Sequence, residues 1–313
     1  MFYTGKRKIL HYMKKIKYYI ASMRLRTLPL SLSGVILGLM LAAADFHLRW
    51  DTVLLTLLTT ALLQILANVS NEYGDYKSGT DSSDRKGPAY SLTGGFLTEK
   101  DFKRMIMVYV ILCAVSGIAL IKVSFGTLID IEPCLMILLG AAAIKAATHY
   151  TLGKNPYGYR GLGDLYVFLF FGLVSVTGAY YVASHDIRPL MLLPASAIGF
   201  FSVAVLNVNN IRDMETDART RITIPLRIGE RNAKIYQTAL IAAGWICMVI
   251  YTFLRVLDPW HFLFLITLPL FIIHIVKVWR RSGKALDPAL PLLVMSTFAF
   301  SILGGLGFLV FLF

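Results

Sequence analysis

The chain has 313 residues, 57% of them hydrophobic, with a mean hydropathy of +0.65 and a formal net charge of +13. Its apolar residues fall in runs of about twenty, which excludes an ordinary soluble domain and points to an all-α polytopic membrane protein. The bases sit between the apolar runs rather than along one polar face, so no nucleic-acid partner is expected.

In residues 1–26, eight bases (Lys6, Arg7, Lys8, Lys14, Lys15, Lys17, Arg24 and Arg26) alternate with Ile9, Leu10, Met13, Ile16 and Ile20. That spacing predicts an amphipathic helix lying on an anionic membrane surface. The basic lead is too long for a secretory signal. Apolar spans follow at 27–44, 52–72, 102–125, 133–152, 163–184, 189–211, 232–256, 260–279 and 288–312, nine in all. The expected organisation is therefore a basic segment, 1–26, and one transmembrane domain, 27–313.

With the N-terminus in the cytoplasm, nearly every Lys and Arg falls in or beside a cytoplasmic segment. The exceptions are Arg49, Lys122, Lys145, Arg188 and Arg255. This asymmetry predicts an odd number of spans and a C-terminus outside. The long loop from Tyr73 to Thr98 and the basic loop from Arg212 to Arg231 then share the cytoplasmic side. Thr98 and Asp101 have capping-box spacing for the next helix. The cysteines, Cys113, Cys134 and Cys247, lie in apolar runs without CxxC spacing and read as packing residues. The six histidines are scattered, which argues against zinc.

Two polar clusters stand out against this background. The first, Asn68 to Pro88, carries Asn71, Glu72, Asp75, Asp81 and Asp84, followed by Arg85 and Lys86. The second, Asn207 to Asp217, carries Asn209, Asn210, Asp213 and Asp217. Charge beside lipid is costly and marks function. Asp213 and Asp217 are four apart, which on a helix puts them on one face, and Asn71 and Asp75 share that spacing. Asp81 joins them only if the helix breaks, as Gly74 and Gly79 permit. Hard oxygen donors suit Mg²⁺, which binds through a few carboxylates plus substrate phosphates. Arg85, Lys86, Arg219, Arg221 and Arg227 would balance the remaining phosphate charge. The clusters thus read as a metal–diphosphate site.

At these residues the chain resembles the UbiA superfamily of intramembrane prenyltransferases. Asn71-Glu-Tyr-Gly-Asp75 and Asp213-Met-Glu-Thr-Asp217 match the family's two acidic motifs in order, spacing and helix position. Asn71 to Asp81, Asp84-Arg-Lys-Gly-Pro88, Pro156 to Asp164 and Asn209 to Asp217 look most like the branch acting on 1,4-dihydroxy-2-naphthoate. The resemblance runs from about residue 22 to 300. Glu72 stands where Asp is commoner and Arg221 where that branch usually has Lys; both keep the charge.

The resemblance implies a UbiA-like bundle with a cytoplasmic-side cavity in a bacterial inner membrane. It implies Mg²⁺-dependent transfer of a polyprenyl group from an all-trans polyprenyl diphosphate to 1,4-dihydroxy-2-naphthoate, with loss of the carboxylate, giving demethylmenaquinone. It assigns Asn71, Asp75 and Asp81 to one metal group, and Asp213 and Asp217 to the other. Arg85 and Arg221 would hold phosphate oxygens, Asp75, Asp213 and Arg85 being catalytic.

An allylic cation would need a dry pocket lined with π faces, for which Tyr73, Tyr150, Tyr157, Tyr159, Phe168, Phe170 and Phe171 are candidates. Tyr150 is the preferred one. Asn210 is a substrate-binding candidate. Lys145 is a further catalytic candidate and Lys154 a further substrate-binding one, Lys145 either meeting a ligand or snorkelling to the interface. Asp164 is either a helix N-cap or a catalytic group.

Three other readings remain. One is transfer to another aromatic acceptor, such as 4-hydroxybenzoate. A CDP-alcohol phosphotransferase would need Gly after Asp84, where Arg85 stands. A secondary transporter would place broken helices at mid-membrane in two matching halves. Prenyl length and oligomeric state are open.

Overall fold

The computed structural model describes residues 15–79, 91–255 and 258–309. Among these residues nine helices are long and apolar enough to cross a membrane: α1 Lys15–Asp45, α2 Trp50–Lys77, α3 Glu99–Phe125, α4 Ile131–His149, α5 Gly163–Ser184, α6 Pro189–Arg212, α7 Glu230–Leu254, α8 Pro259–Arg280 and α9 Gly283–Leu309. Lipid offers the backbone no partners, so each span closes its own hydrogen bonds. Among the described residues the sole β pairing is one parallel bridge, Arg160 to Ile222.

The spans match the apolar runs except at the N-terminus. There α1 begins at Lys15, turns sharply at Arg24 (φ 49°, the left-handed region) and resumes at Leu28. The expected surface helix is, over its described part, packed onto the bundle. Tyr18 stacks on Phe96 with ring centroids 3.9 Å apart, and buried Ser22 donates to Ser91 Oγ at 2.9 Å. Ile16 and Ile20 stay exposed. Tyr18 and Ser22 form one helical row and Ile16 and Ile20 another, so the aromatic–hydroxyl row docks and the aliphatic row faces outward. The Thr98–Asp101 capping box forms, and Asp101 also accepts from Tyr19 Oη at 2.9 Å.

Packing is uneven around the bundle. In their most apolar stretches α1 and α6 are 56% buried, whereas α4 is 11% buried. Helices in lipid associate through close contacts of small residues and polar links. A Cβ on Gly38 would run into the Val176 carbonyl, and one on Gly244 into the Phe201 ring. Phe201 meets Phe271 and Phe300 at 4.7 and 5.0 Å in the core shared by α6, α8 and α9. A buried polar chain ties α6 to α9. Asn207 Nδ2 donates to Gln237 Oε1 at 2.8 Å, Gln237 Nε2 to His274 Nε2 at 3.0 Å, and His274 Nδ1 to the Ala289 carbonyl at 3.0 Å. Asn207, although inside the second polar cluster, is thus a packing residue.

The end of the bundle away from the acidic clusters has its own clamp. Asp45, at the end of α1, accepts from Arg188 Nη1 at 2.6 Å and from Arg255 Nη2 at 2.8 Å. Asp45→Ala leaves two half-buried guanidinium groups without this partner. We expect a loss of about 1–3 kcal/mol, read as a lower melting temperature in detergent. Activity per folded molecule should be unchanged, because the clamp and the acidic site lie at opposite ends of the helices.

Candidate active site

The first acidic cluster rides on the last turns of α2. Gly74 packs so closely on Thr151 that a Cβ there would collide with its side chain. Thr151 Oγ1 donates to the Ser70 carbonyl at 3.0 Å and to Asn71 Oδ1 at 3.3 Å. These contacts dock the end of α2 against the segment after α4 and turn Asp75 inward. Asp75 is buried, and its Oδ1 accepts from Tyr159 Oη at 2.7 Å. Glu72 faces away from this point: its Oε1 accepts from the Ser91 and Leu92 amides at 2.8 and 3.4 Å. It therefore anchors the loop leading into α3.

The second cluster arrives from the loop after α6. Asp217, at the end of a one-turn helix (Met214–Asp217), is fully buried, and its Oδ1 lies 3.2 Å from Arg221 Nε. Arg221 Nη2 lies 3.7 Å from Asp75 Oδ1, so one guanidinium stands between carboxylates from both clusters. The Ile222 amide donates to the Tyr159 carbonyl at 3.0 Å, which lays Arg221 over the Tyr159 ring at 5.6 Å. Burial works against the charge on Arg221, but Asp75 and Asp217 outweigh it and hold the guanidinium above its ordinary value. Burial, helped by Asp75, pushes the Tyr159 phenol well up, so it stays a donor to that carboxylate.

Below this polar head runs an apolar groove of about 390 Å³ between α1, α2, α3, α4 and α5. Asn71, Tyr150 and Tyr157 line its head, and Thr56, Val182 and Met136 its deep end. From Asn71 to Thr56 is roughly 22 Å at 1.5 Å per helical residue. Tyr157 packs edge-on to Tyr150 at 5.3 Å and stacks on Tyr166 at 3.8 Å. Burial raises the Tyr150 phenol to about 12, with Arg221 opposing. The wall continues through Phe170 and Phe171, where α5 widens into a π-helical stretch, Phe168–Val174. The arrangement is a charged head on a long hydrocarbon slot, suited to an amphiphile; its two carboxylates outnumber the one guanidinium, so an anionic head group would need a cation beside it.

A family profile described as the UbiA prenyltransferase family matches residues 31–311. The chain belongs to this family. It is 39% identical to the 1,4-dihydroxy-2-naphthoate octaprenyltransferase of Escherichia coli (strain K12), over 86% of each chain. It is 35% identical to the protein of that description from Haemophilus influenzae, over 95% of this chain and 97% of the other. Among solved structures, the apo UbiA homolog of Aeropyrum pernix K1 superposes with a TM-score of 0.67 at 16% identity, covering 92% of this chain and 98% of that one. The Archaeoglobus fulgidus homolog bound to GPP and Mg²⁺ gives 0.63 at 15% identity, covering 95% and 100%. At those identities the likeness is one of fold.

Within this UbiA chain the expected site residues are distributed unequally. Asn71 and Tyr150 line the groove head, Asp75, Asp217 and Arg221 gather beside Tyr150, and Asn210 is buried on α6. Asp81 and Arg85 lie outside the described residues. The single helical face expected for Asp213 and Asp217 is interrupted, because α6 ends at Arg212 and Asp213 caps it. Both Asp213 oxygens accept from Arg212, at 2.8 and 2.6 Å. Lys145 is exposed on α4 while its neighbours Ala146 and Ala147 line the groove, so it is placed away from the reacting head. Lys154 is exposed in the loop after α4 and has no ion pair among the described residues.

Of the aromatic candidates, Tyr73 donates to Glu99 at 3.0 Å and Phe168 packs on Gly199. Asp164 accepts from Tyr236 Oη at 3.0 Å, and Leu162 holds the N-cap position. Thr151 and Tyr166 escaped sequence reasoning: a threonine after an apolar run and one tyrosine among many carry no local signal.

The donor set suits Mg²⁺. Asn71, Asp75 and Asp217 offer hard oxygens, and the guanidinium between Asp75 and Asp217 marks the point where both clusters favour a cation. Among the described residues no three acidic, His or Cys side chains gather tightly enough to hold a metal alone.

Proposed function

We propose that this protein transfers a polyprenyl group from an all-trans polyprenyl diphosphate to 1,4-dihydroxy-2-naphthoate, with loss of the carboxylate as CO₂ and release of diphosphate, giving demethylmenaquinol, the reduced form of demethylmenaquinone. The observation that carries the reading is the convergence of Asp75, Asp217 and Arg221 at the head of a long apolar groove. The acceptor follows from relatives at 33–39% identity described as 1,4-dihydroxy-2-naphthoate octaprenyltransferases.

In this reading Asn71, Asp75 and Asp217 hold Mg²⁺, with Asp213 and Asp81 as further candidates, and bound Mg²⁺ neutralises the diphosphate as leaving group. Arg221 moves from the two carboxylates to phosphate oxygens, a planar donor fork suiting either partner. Tyr159 orients Asp75 through its hydrogen bond. Tyr150 and Tyr157 present ring faces at the top of the groove, where positive charge develops on the allylic carbon. The groove keeps the chain, and the carbon from which diphosphate departs, away from water. The bases gathered at the acidic end support a cytoplasmic position for that end, with the C-terminus outside.

Purified protein given a prenyl diphosphate, with 1,4-dihydroxy-2-naphthoate and 4-hydroxybenzoate offered separately, tests the proposal. Prenylation of the naphthoate with CO₂ release, abolished by EDTA and restored by Mg²⁺, is the expected result. Prenylation of hydroxybenzoate alone would discard the acceptor and keep the chemistry. Transfer to neither would sink the reading.

A further inference from the structure

A second cavity, of about 480 Å³, lies at the far end of the groove between α4, α5 and the start of α6. It shares Met136, Leu139, Val174 and Gly178 with the groove, so the two meet along one seam. Its body is apolar. Its charged residues, Glu132, Asp186 and Arg188, belong to the first turn of α4 and the α5–α6 turn, at the outer end of the helices.

The glycine at the seam is of an unusual kind for this bundle. Gly34, Gly38, Gly172, Gly199 and Gly244 each sit where a Cβ would collide with a neighbouring helix. A Cβ on Gly178 meets nothing within 4 Å, and the same holds for Gly140 on the facing wall of the groove. Neither has a positive φ. Glycine weakens a helix interior relative to alanine, so a glycine that neither packing nor backbone demands is accounted for by the space it leaves. Here that space lies on the wall that the two cavities share. The groove alone is near the low end of volumes that hold drug-sized ligands, roughly 300–1,000 Å³, and an octaprenyl chain is longer than such a ligand.

We infer that the second cavity is a distal subsite for the end of a long isoprenoid chain, entered through the opening at Gly178, so that this seam sets the longest chain accepted. The inference rests on the prenyl-transfer reading above. A short chain ends within the groove; a long one threads past Gly178 and stops short of the charged outer rim.

The test compares transfer of octaprenyl and geranyl groups to 1,4-dihydroxy-2-naphthoate by the full chain in proteoliposomes. Gly178→Leu closes the seam, and Leu135→Trp narrows the distal cavity from α4 without touching the groove. In each variant the octaprenyl-to-geranyl rate ratio should fall by at least about tenfold, the scale on which apolar pockets discriminate by size. Gly178→Ala should leave it near that of the unsubstituted chain. An unchanged ratio in Gly178→Leu overturns the distal subsite; should that variant fail to fold, an unchanged ratio in Leu135→Trp does so. Failure of the unsubstituted chain with both diphosphates strikes the parent reading instead.

Discussion

Asp75→Asn and Asp217→Asn should each lower the prenyl-transfer rate at saturating Mg²⁺ by about a hundredfold to a thousandfold, the usual cost of removing one preorganised electrostatic contact. The amide keeps the shape of the carboxylate, and at position 75 it can still accept from Tyr159, so each change isolates charge from packing. Either substitution leaves Arg221 one carboxylate, at 3.2 Å from Asp217 or 3.7 Å from Asp75, so the buried guanidinium stays paired and the protein should fold. Initial rates and melting temperature, measured on the same preparations, check both halves. Full activity in both variants would remove the acidic pair from the chemistry. Loss of folded protein would instead make the carboxylates structural partners of Arg221.

Much of this architecture was legible because lipid is a demanding solvent. Among the described residues the nine apolar runs become nine helices, since a helix is the one single segment that closes its own hydrogen bonds there. The acidic motifs were legible for the same reason: polar residues at the ends of such runs need a purpose. What the sequence did not disclose depends on tertiary direction. Helical spacing put Asp213 beside Asp217, but the cap at Asp213 gives its carboxylate to Arg212. Lys145 sits one residue from a groove-lining alanine, and one residue is about 100° of helix. Glu72 lies inside the first motif, yet it serves backbone amides of Ser91 and Leu92, which no spacing rule connects to it. Tyr159 meets Asp75 across 84 residues, from a loop that the Arg160–Ile222 bridge ties to the one carrying Arg221.

Arg221 offers the second large effect, and it separates charge from geometry. Arg221→Ala would leave Asp75 and Asp217 facing each other in a buried site, at a cost of about 3–5 kcal/mol, as for a broken buried ion pair. Activity should also fall by at least about a hundredfold, because a phosphate-binding charge is lost. Arg221→Lys restores a cation on a flexible stem but loses the fork and the contact with the Tyr159 ring, 5.6 Å away. Its activity should fall between that of Arg221→Ala and that of the unsubstituted chain, because the charge returns without the fork. The stability change also reports on the metal. A cation that binds only the folded state stabilises it, so Mg²⁺ should raise the melting temperature of Arg221→Ala more than that of the unsubstituted chain. Equal shifts would place Mg²⁺ away from Asp75 and Asp217. A larger shift, abolished by adding Asp217→Asn, would place it between them, where the guanidinium now lies.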